Sequence, residues 1–442
     1  MLAQIIIICV LASLPIVAFI GKRGPLKASQ SVDYFTLGNR KFKSFQIAAG
    51  ISMAFVGGAA TLNMASLGYQ YGWSVAVDPL AVFVALVIAV ALAKKVRNGK
   101  GITITDALSS SSPTLRALLG MTSLIVYQLL TAAQFVAVGK LLAPYFPNIP
   151  VVVIIVIPAL VVFLYTYLRG FNAVTSTDVL QLIIMLVLYA IPCIWIFSTK
   201  SSTSTVSPIT EAPIAPFSLL IYLALPLLFV PVSHDTNIRV KAAASLFHAR
   251  SGLIIGGLQY VLFLAVSIGV GVFMRHTGQA VDVSEKVLPL FFQTQLGRFS
   301  ILGTVSVLAA IVSTLDSFAF DTIVSASNDV LGPARAKGFL SDRKTLAIAT
   351  FAILSAALLI ALAFQQILGL ILAALLLYVS IFIPVAIGRL IRVSDSQLVL
   401  TTSVTGVIIV GCKIAAYTPP LEPIAFLAFH LILILTIRAV RK

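Results

Sequence analysis

The densest set of side-chain oxygens in an otherwise apolar stretch lies in SVLAAIVSTLDSFAFD, residues 306–321. On a helix, six positions of this segment fall on one face, within an arc of about 100°. They are Ser306, Ala310, Ser313, Thr314, Ser317 and Asp321, with Asp316 outside the arc. Because hard cations prefer oxygen ligands, this face predicts a cation site. The alternatives are a seam between helices and hydroxyls that bond back to carbonyls four residues earlier.

Within this face, Ser313 and Thr314 are the best pair of ligands for an ion. A carbonyl freed at Ala310 would add a third oxygen. Adjacent residues on a helix point about 100° apart, so the two hydroxyls can hold an ion only if a second element supplies the opposite wall.

The best candidate for that wall is the segment Ser44–Trp73, which is apolar but carries Gly57 and Gly58 at its centre. About 20 apolar residues suffice to cross a bilayer. Glycine weakens a helix, and a spanning helix that loosens midway exposes carbonyls where transporters bind ions and substrates. The alternative is that these small residues only allow another helix to pack closely.

A further candidate is Asp178, in the motif GFNAVTSTDVLQ that ends at Gln181. The two side chains are three residues apart and therefore share a helical face. An ionisable residue at membrane depth is expensive and indicates function. Because a Thr-Ser-Thr run precedes it, Asp178 could equally be a cap at a helix start.

Other polar residues also fall in or beside apolar segments. Asp78, near the outer start of the third segment, is predicted to complement a helix N-terminus. In the fourth segment Tyr127, Gln128 and Gln134 loosely share a face. Such side chains usually hold helices together and only sometimes line a path.

Membrane-spanning helices must position these residues. The chain has 442 residues, of which 60% are hydrophobic and 10% charged, far from the soluble range. It is predicted to be an all-α polytopic membrane protein with a single transmembrane domain over residues 1–442. The predicted spans, thirteen in number, are roughly 2–20, 44–66, 73–93, 117–142, 149–168, 174–198, 216–236, 251–274, 299–325, 345–364, 366–388, 397–416 and 422–438.

The seventh span, LLIYLALPLLFVPVSHD, contains Pro226 and Pro231, and proline kinks a helix. Spans two and seven are thus both interrupted and lie five helices apart, so the second group of five enters the membrane in the opposite direction. Matching interruptions are typical of inverted-repeat transporters. Spans 2–6, about 44–198, and spans 7–11, about 216–388, are predicted to be the repeats, with spans 1, 12 and 13 peripheral.

The net charge of +16 follows from membrane topology and does not indicate a nucleic-acid partner. With the N-terminus outside, all but six of the 30 Lys and Arg fall in cytoplasmic segments. The six are Lys140, Lys200, Arg275, Lys286, Arg298 and Lys413. The positive-inside rule therefore predicts a multi-pass protein of the cell (inner) membrane, with the C-terminus in the cytoplasm.

Four stretches resemble the sodium/solute symporter family, which includes the sodium/proline and sodium/glucose symporters. They are DYFTLGNRKFKSFQIAAGISMAFVGGAATLNMASLGYQYGW, TDVLQ at 177–181, RVKAA with ARSG at 239–252, and AIVST at 310–314. The likeness spans roughly residues 30–390. It implies a LeuT-type fold built on the two inverted five-helix repeats.

The resemblance also implies a sodium site at carbonyls of Met53, Val56 and Ala310 and hydroxyls of Ser313 and Thr314. Asp178 matches the acid on the ion's route to the cytoplasm, beside Gln181 and Ser317. Phe55, Ala60 and Asn63 depart from the family pattern, so substrate identity does not transfer. Residues expected to line the substrate site are Phe55, Ala60, Asn63, Tyr127 and Gln134.

The predicted function is sodium-driven uptake of a small organic solute by alternating access. Its partners would be Na⁺, the solute and the lipid bilayer. A proton-coupled symporter, in which Asp178 or Asp321 titrates, and a membrane solute sensor are the alternatives; the short tail after the last span argues against the sensor. The scattered histidines and cysteines show no catalytic or ligand spacing, so an enzyme is not expected.

Overall fold

The computed structural model describes residues 2–20, 32–109, 112–198, 213–278, 281, 286–414 and 422–440. The basic residues predicted near 22–27 and at Lys200 lie outside these ranges. The helices of the first half are α1 (Leu2–Ile20), α2 (Val32–Leu37), α3 (Ser44–Val56), α4 (Gly58–Tyr71), α5 (Val77–Asn98), α6 (Ile104–Ser109), α7 (Pro113–Leu142), α8 (Val151–Arg169) and α9 (Phe171–Ser198). Those of the second half are α10 (Pro216–Phe229), α11 (His234–Ala242), α12 (Leu246–His276), α13 (Val287–Thr294), α14 (Ser300–Val324), α15 (Pro333–Ser341), α16 (Arg343–Ala363), α17 (Ile367–Leu390), α18 (Asp395–Ile414) and α19 (Glu422–Val440).

Each predicted span coincides with one helix or with two consecutive helices. By length and composition, seven of the described helices could cross a membrane, and an eighth span forms if the bent pair Pro216–Val232 and His234–Ala242 counts as one. The chain is therefore helical and polytopic, as predicted, whereas the number thirteen stays a prediction. The only β pairing within the described ranges is an isolated bridge between Phe42 and Ala243.

The first interruption lies where the paired glycines predict it. α3 ends at Val56, and α4 begins at Gly58 after Gly57, whose φ of 26° is rarely adopted by L side chains. A Cβ at Gly57 would lie 2.8 Å from Thr314 Oγ1, and one at Gly58 would overlap the Ile311 side chain. The glycines thus break the helix and also let the break approach α14.

The second interruption separates α10 from α11, which are bent by 41°. Pro231 lies in a short 3₁₀ turn, Val230–Val232, and Ser233 caps α11 by accepting a hydrogen bond from the Thr236 backbone N–H (3.3 Å). Pro226 lies inside α10 and does not end it. The capped helix continues beyond the predicted end of this span at 236, to Ala242.

This longer helix changes the place of Arg239 and Lys241, which the sequence assigned to a cytoplasmic loop. Both are on α11 and only 2% exposed. A buried cation needs a partner, so these two residues do not belong to the solvent-facing charge that sets orientation.

α14 is the central helix of the bundle and positions the candidate site. Every residue from Gly303 to Val324 is buried, and α14 packs against α3, α7 and α9. Its polar residues therefore face other helices and not lipid. α12 also covers the broken span, by packing against α3, α4 and α5.

Candidate cation and solute site

Thr314 connects α14 to the end of α3. Its Oγ1 donates to the Met53 carbonyl oxygen at 2.8 Å and lies 3.1 Å from the Ala310 carbonyl oxygen. Met53 to Val56 form the last turn of α3, and the carbonyls of a last turn have no partner within their own helix. The structure thus brings together the predicted oxygens of Met53, Ala310 and Thr314 beside the break, with Val56 in the same turn.

Ser313, the neighbour of Thr314, faces a different helix. Its Oγ donates to Asp178 Oδ1 at 2.5 Å, and all three residues are buried. Asp178 is not a helix cap, since α9 begins at Phe171, about two turns earlier. The hydroxyls that suggested a cap bond instead to carbonyls four residues back: Thr175 to Phe171 (2.9 Å), Ser176 to Asn172 (2.8 Å) and Thr177 to Ala173 (3.1 Å).

Arg239 is the buried cation between these helices. Its guanidinium donates to Asp178 Oδ2 at 3.3 Å, to Ser317 Oγ at 3.0 Å and to Asp235 Oδ1. A Cβ at Gly50 of α3 would overlap this guanidinium, so that glycine makes room for it. Arg239 therefore ties α11 to α9 and α14 on the side of Asp178 away from Ser313.

Other polar groups nearby are buried as well. Thr177 Oγ1 also lies 3.0 Å from Asp316 Oδ2, so Asp316, outside the predicted polar arc, also faces a helix. The Gln181 side-chain amide and Asp321 Oδ2 have no hydrogen-bond partner in the described part of the chain. A buried polar group without a partner is costly, which makes these atoms candidates to contact a passing ion or water.

A cavity of about 130 Å³ lies between the two interrupted spans. Its walls come from α3, α4, α5, α7, α10, α12, α14 and α17. Phe55, Ala60, Asn63 and Gln134, predicted to line a substrate site, all line this cavity, and so does Thr314. Gln134 Oε1 also accepts a hydrogen bond from the Ala59 backbone N–H at 3.2 Å, at the start of α4.

Tyr127 is not among the residues that line this cavity, so its predicted contact with the solute stays a prediction. Its phenol oxygen accepts a hydrogen bond from the His234 backbone N–H at 2.9 Å, and its ring stacks on the His234 ring. Tyr127 lies about two turns from Gln134 along α7, roughly 10 Å, and its ring packs against that of the wall residue Phe318, with centroids 5.7 Å apart.

His234 is a buried residue whose role the sequence did not indicate. Its Nδ1 lies 3.0 Å from Ser325 Oγ, and its Nε2 lies 3.2 Å from Thr105 Oγ1 and 3.6 Å from Asp329 Oδ2. The available signal was the polar run SHDTNIRVK, directly after the proline break. The run forms α11 and supplies both His234 and the Asp235–Arg239 pair.

Asp106, on short α6 between the spans, belongs to the same polar layer. Burial alone raises the pKa of its carboxyl, but the backbone N–H groups of Thr103 (3.0 Å) and Ile102 (2.6 Å) and the Arg116 guanidinium outweigh it, and the pKa falls below its ordinary value. The ionised carboxylate accepts from Asn328 Nδ2 at 3.0 Å. It therefore ties α6 to the turn that follows α14.

Two interrupted helices beside a buried helix with hydroxyls at the break are typical of secondary transporters of the broken-helix type. A family model described as "Sodium:solute symporter family" matches residues 34–391. The chain belongs to this family, and it is a sodium-coupled symporter and not an enzyme. No curated protein matches it in sequence.

Solved transporter structures share the fold. A Na⁺-coupled sialic acid symporter in a substrate-bound outward-open state has a TM-score of 0.79 at 15% identity, over 99% of this chain and 96% of that one. Mhp1, a nucleobase-cation-symport-1 family transporter in a closed conformation, has a TM-score of 0.59 at 17% identity, over 92% and 94%. The manganese transporter of Eremococcus coleocola has a TM-score of 0.50 at 15% identity, over 89% and 95%. At these identities the comparisons show the LeuT-type fold alone.

Proposed function

We propose that the chain takes up a small organic solute together with Na⁺, and that the ion lies between the α3–α4 break and α14. Its ligands are the Met53, Val56 and Ala310 carbonyls and the Ser313 and Thr314 hydroxyls. The contact between Thr314 Oγ1 and the Met53 carbonyl across the break is the observation that carries this proposal. With the ion bound, both oxygens turn toward it and the hydroxyl hydrogen turns away.

One residue shared by the ion site and the solute cavity would couple the binding of Na⁺ to the binding of the solute. Thr314 lies in the candidate ion site and also in the wall of the solute cavity. An ion that bridges α3 and α14 stabilises the arrangement in which that wall is complete, and a ligand shifts an equilibrium only through its different affinity for the two states. By reciprocity, the bound solute then raises the affinity for Na⁺.

The path away from the site runs along α9 and α14. Asp178 contacts Ser313 on one side and Arg239 on the other, and the unpartnered Gln181 amide lies one turn further along α9. In this mechanism Asp178 takes the ion from Ser313 when Arg239 shifts toward Asp235, and Ser317, released from Arg239, becomes a second oxygen on the route.

The test is uptake into proteoliposomes of labelled amines, amino acids, organic acids and sugars. We expect accumulation of at least one solute with an inward sodium gradient and none when sodium is equal on both sides. Accumulation driven by a proton gradient without sodium would support the proton-coupled alternative.

We also propose the predicted orientation in the cell (inner) membrane, with the C-terminus in the cytoplasm. Single cysteines are placed at exposed Asn148, between α7 and α8, and at exposed Lys337 on α15. The background has serine in place of Cys9, Cys193 and Cys412. In intact cells an impermeant maleimide should label position 148 and not position 337, while both react after lysis. The reverse pattern would contradict the topology.

A further inference from the structure

The solute cavity carries a single charged side chain. Among the described residues that form its walls, only Asp78 is charged, and no Lys, Arg or His is present. Asp78 is in the first turn of α5, so the helix N-terminus favours its negative charge, as the sequence predicted. Asp78 also lines the cavity, so its carboxylate can bind a ligand there in addition to stabilising the helix N-terminus.

Aromatic rings make up much of the same wall. They are Phe55, Tyr222, Phe229, Tyr260 and Phe318. The rings of Phe55 and Tyr260 meet edge to face, with centroids 6.4 Å apart. Aromatic faces attract cations, and they bind quaternary ammonium groups in this way.

Size narrows the class of ligand further. The cavity measures about 130 Å³, and an apolar cavity of about 150 Å³ holds benzene, so the ligand has roughly four to seven non-hydrogen atoms. Besides Asp78, the polar side chains of the wall are Asn63, Gln134, Thr314 and the phenol groups of Tyr222 and Tyr260, and the rest of the wall is aromatic or aliphatic. A sugar would leave most of its hydroxyls without partners there, at a cost for each one.

From this combination we infer that the solute is a small organic ammonium compound, whose cationic group pairs with Asp78 and packs against Tyr260 and Phe55. The inference rests on the proposed function, since it assumes that this cavity is the transport site. A carboxylate without an ammonium group meets like charge at Asp78 and finds no basic partner in the wall. An ammonium group supplies the counter-charge and the cation for the aromatic faces.

The first test compares matched compounds by thermal stabilisation of the purified, sodium-loaded protein, since a ligand that binds only the folded state raises its melting temperature. The probes are alkylammonium ions of one to four carbons, tetramethylammonium and choline. Their uncharged or anionic counterparts are 3,3-dimethylbutanol, the same shape as choline, and butyrate. We expect stabilisation by at least one ammonium compound and none by its counterpart. Equal stabilisation by a counterpart, or none by any ammonium compound, would overturn the inference.

The second test assigns the contact to Asp78. For the ammonium compound that binds, Asp78→Asn should raise the dissociation constant by roughly tenfold to a hundredfold, the range for losing a hydrogen bond to a charged group. Asp33→Asn removes an acid whose side chain is 47% exposed and does not line the cavity, and it should have no effect. Tyr260→Phe should keep the affinity while Tyr260→Leu lowers it, because only the leucine removes the aromatic face.

A measurement of sodium binding distinguishes an error in the proposed solute class from an error in the proposed ion site. Asp78→Asn should bind radioactive sodium as the parent does in the absence of solute, which also shows that the variant is folded. If the parent binds sodium but Asp78→Asn leaves the affinity for the ammonium compound unchanged, only the solute class is wrong. If the parent binds no sodium, the proposed ion site itself fails.

Discussion

Thr314→Val is expected to transport normally only at much higher sodium concentration. Valine keeps the shape of threonine but removes the oxygen that contacts the Met53 carbonyl. Loss of one ligand should cost on the order of 1–3 kcal/mol, the range for a buried polar group left without its partner. That corresponds to a roughly five- to hundredfold rise in the sodium needed for half-maximal uptake. Ser313→Ala should act in the same direction, whereas solute affinity at saturating sodium should change much less.

Thr322→Val is the matched control for this prediction. Thr322 is a buried threonine on the same helix, and within the described ranges its hydroxyl bonds to the Phe318 carbonyl alone, at 2.8 Å. Sodium titrations of uptake should therefore overlay for Thr322→Val and the parent. If the Thr314→Val and Ser313→Ala curves overlay them as well, the ion does not lie between Met53 and α14.

Arg239→Met is expected to abolish transport, with the largest loss of stability of the variants considered. Methionine fills similar space but leaves the carboxylates of Asp178 and Asp235 without their cation. Removing one partner of a buried ion pair costs about 3–5 kcal/mol, a large part of the 5–15 kcal/mol that stabilises a typical fold. The measurements are solute uptake and the half-life of heat inactivation in detergent.

Arg40→Met serves as the control, because it removes an arginine whose ion pair is exposed and not buried. Its ion pair with Asp33 has side chains 42% and 47% exposed, and exposed pairs contribute about 0–1 kcal/mol. Adding Asp235→Asn to Arg239→Met should recover part of the lost stability by removing one unpaired charge. If Arg239→Met is as stable and active as Arg40→Met, the cluster around Asp178 does not hold the helices together.

The sequence predicted the broken helix correctly because the cause is local. Gly57 and Gly58 weaken α3 wherever the segment lies, and the oxygen face of α14 follows from a period of 3.6 residues. The period does not decide which helix each hydroxyl meets: Thr314 contacts the break in α3, whereas Ser313 contacts Asp178 on α9. That Met53 and Thr314 belong to one site was implied by the resemblance to the symporter family.

The partners of Asp178 could not be predicted in this way. The sequence placed Arg239 in a loop because charge after an apolar run normally marks the membrane boundary, and a new helix capped by Ser233 brings it inside instead. Likewise, Tyr127 and Gln134 share a helix but face different layers, and Asp78 reaches the cavity only through the packing of α5 against α10 and α12. The positions of these side chains depend on tertiary contacts, which cannot be predicted from the periodicity of the sequence.

Equilibrium binding of radioactive sodium to the purified protein tests most directly whether the ion bridges the α3–α4 break and α14. We expect saturable binding to the parent and to Thr322→Val with the same affinity, and binding at least about fivefold weaker to Thr314→Val, as one lost ligand requires. Sodium affinity that is the same in Thr314→Val as in Thr322→Val would contradict this site.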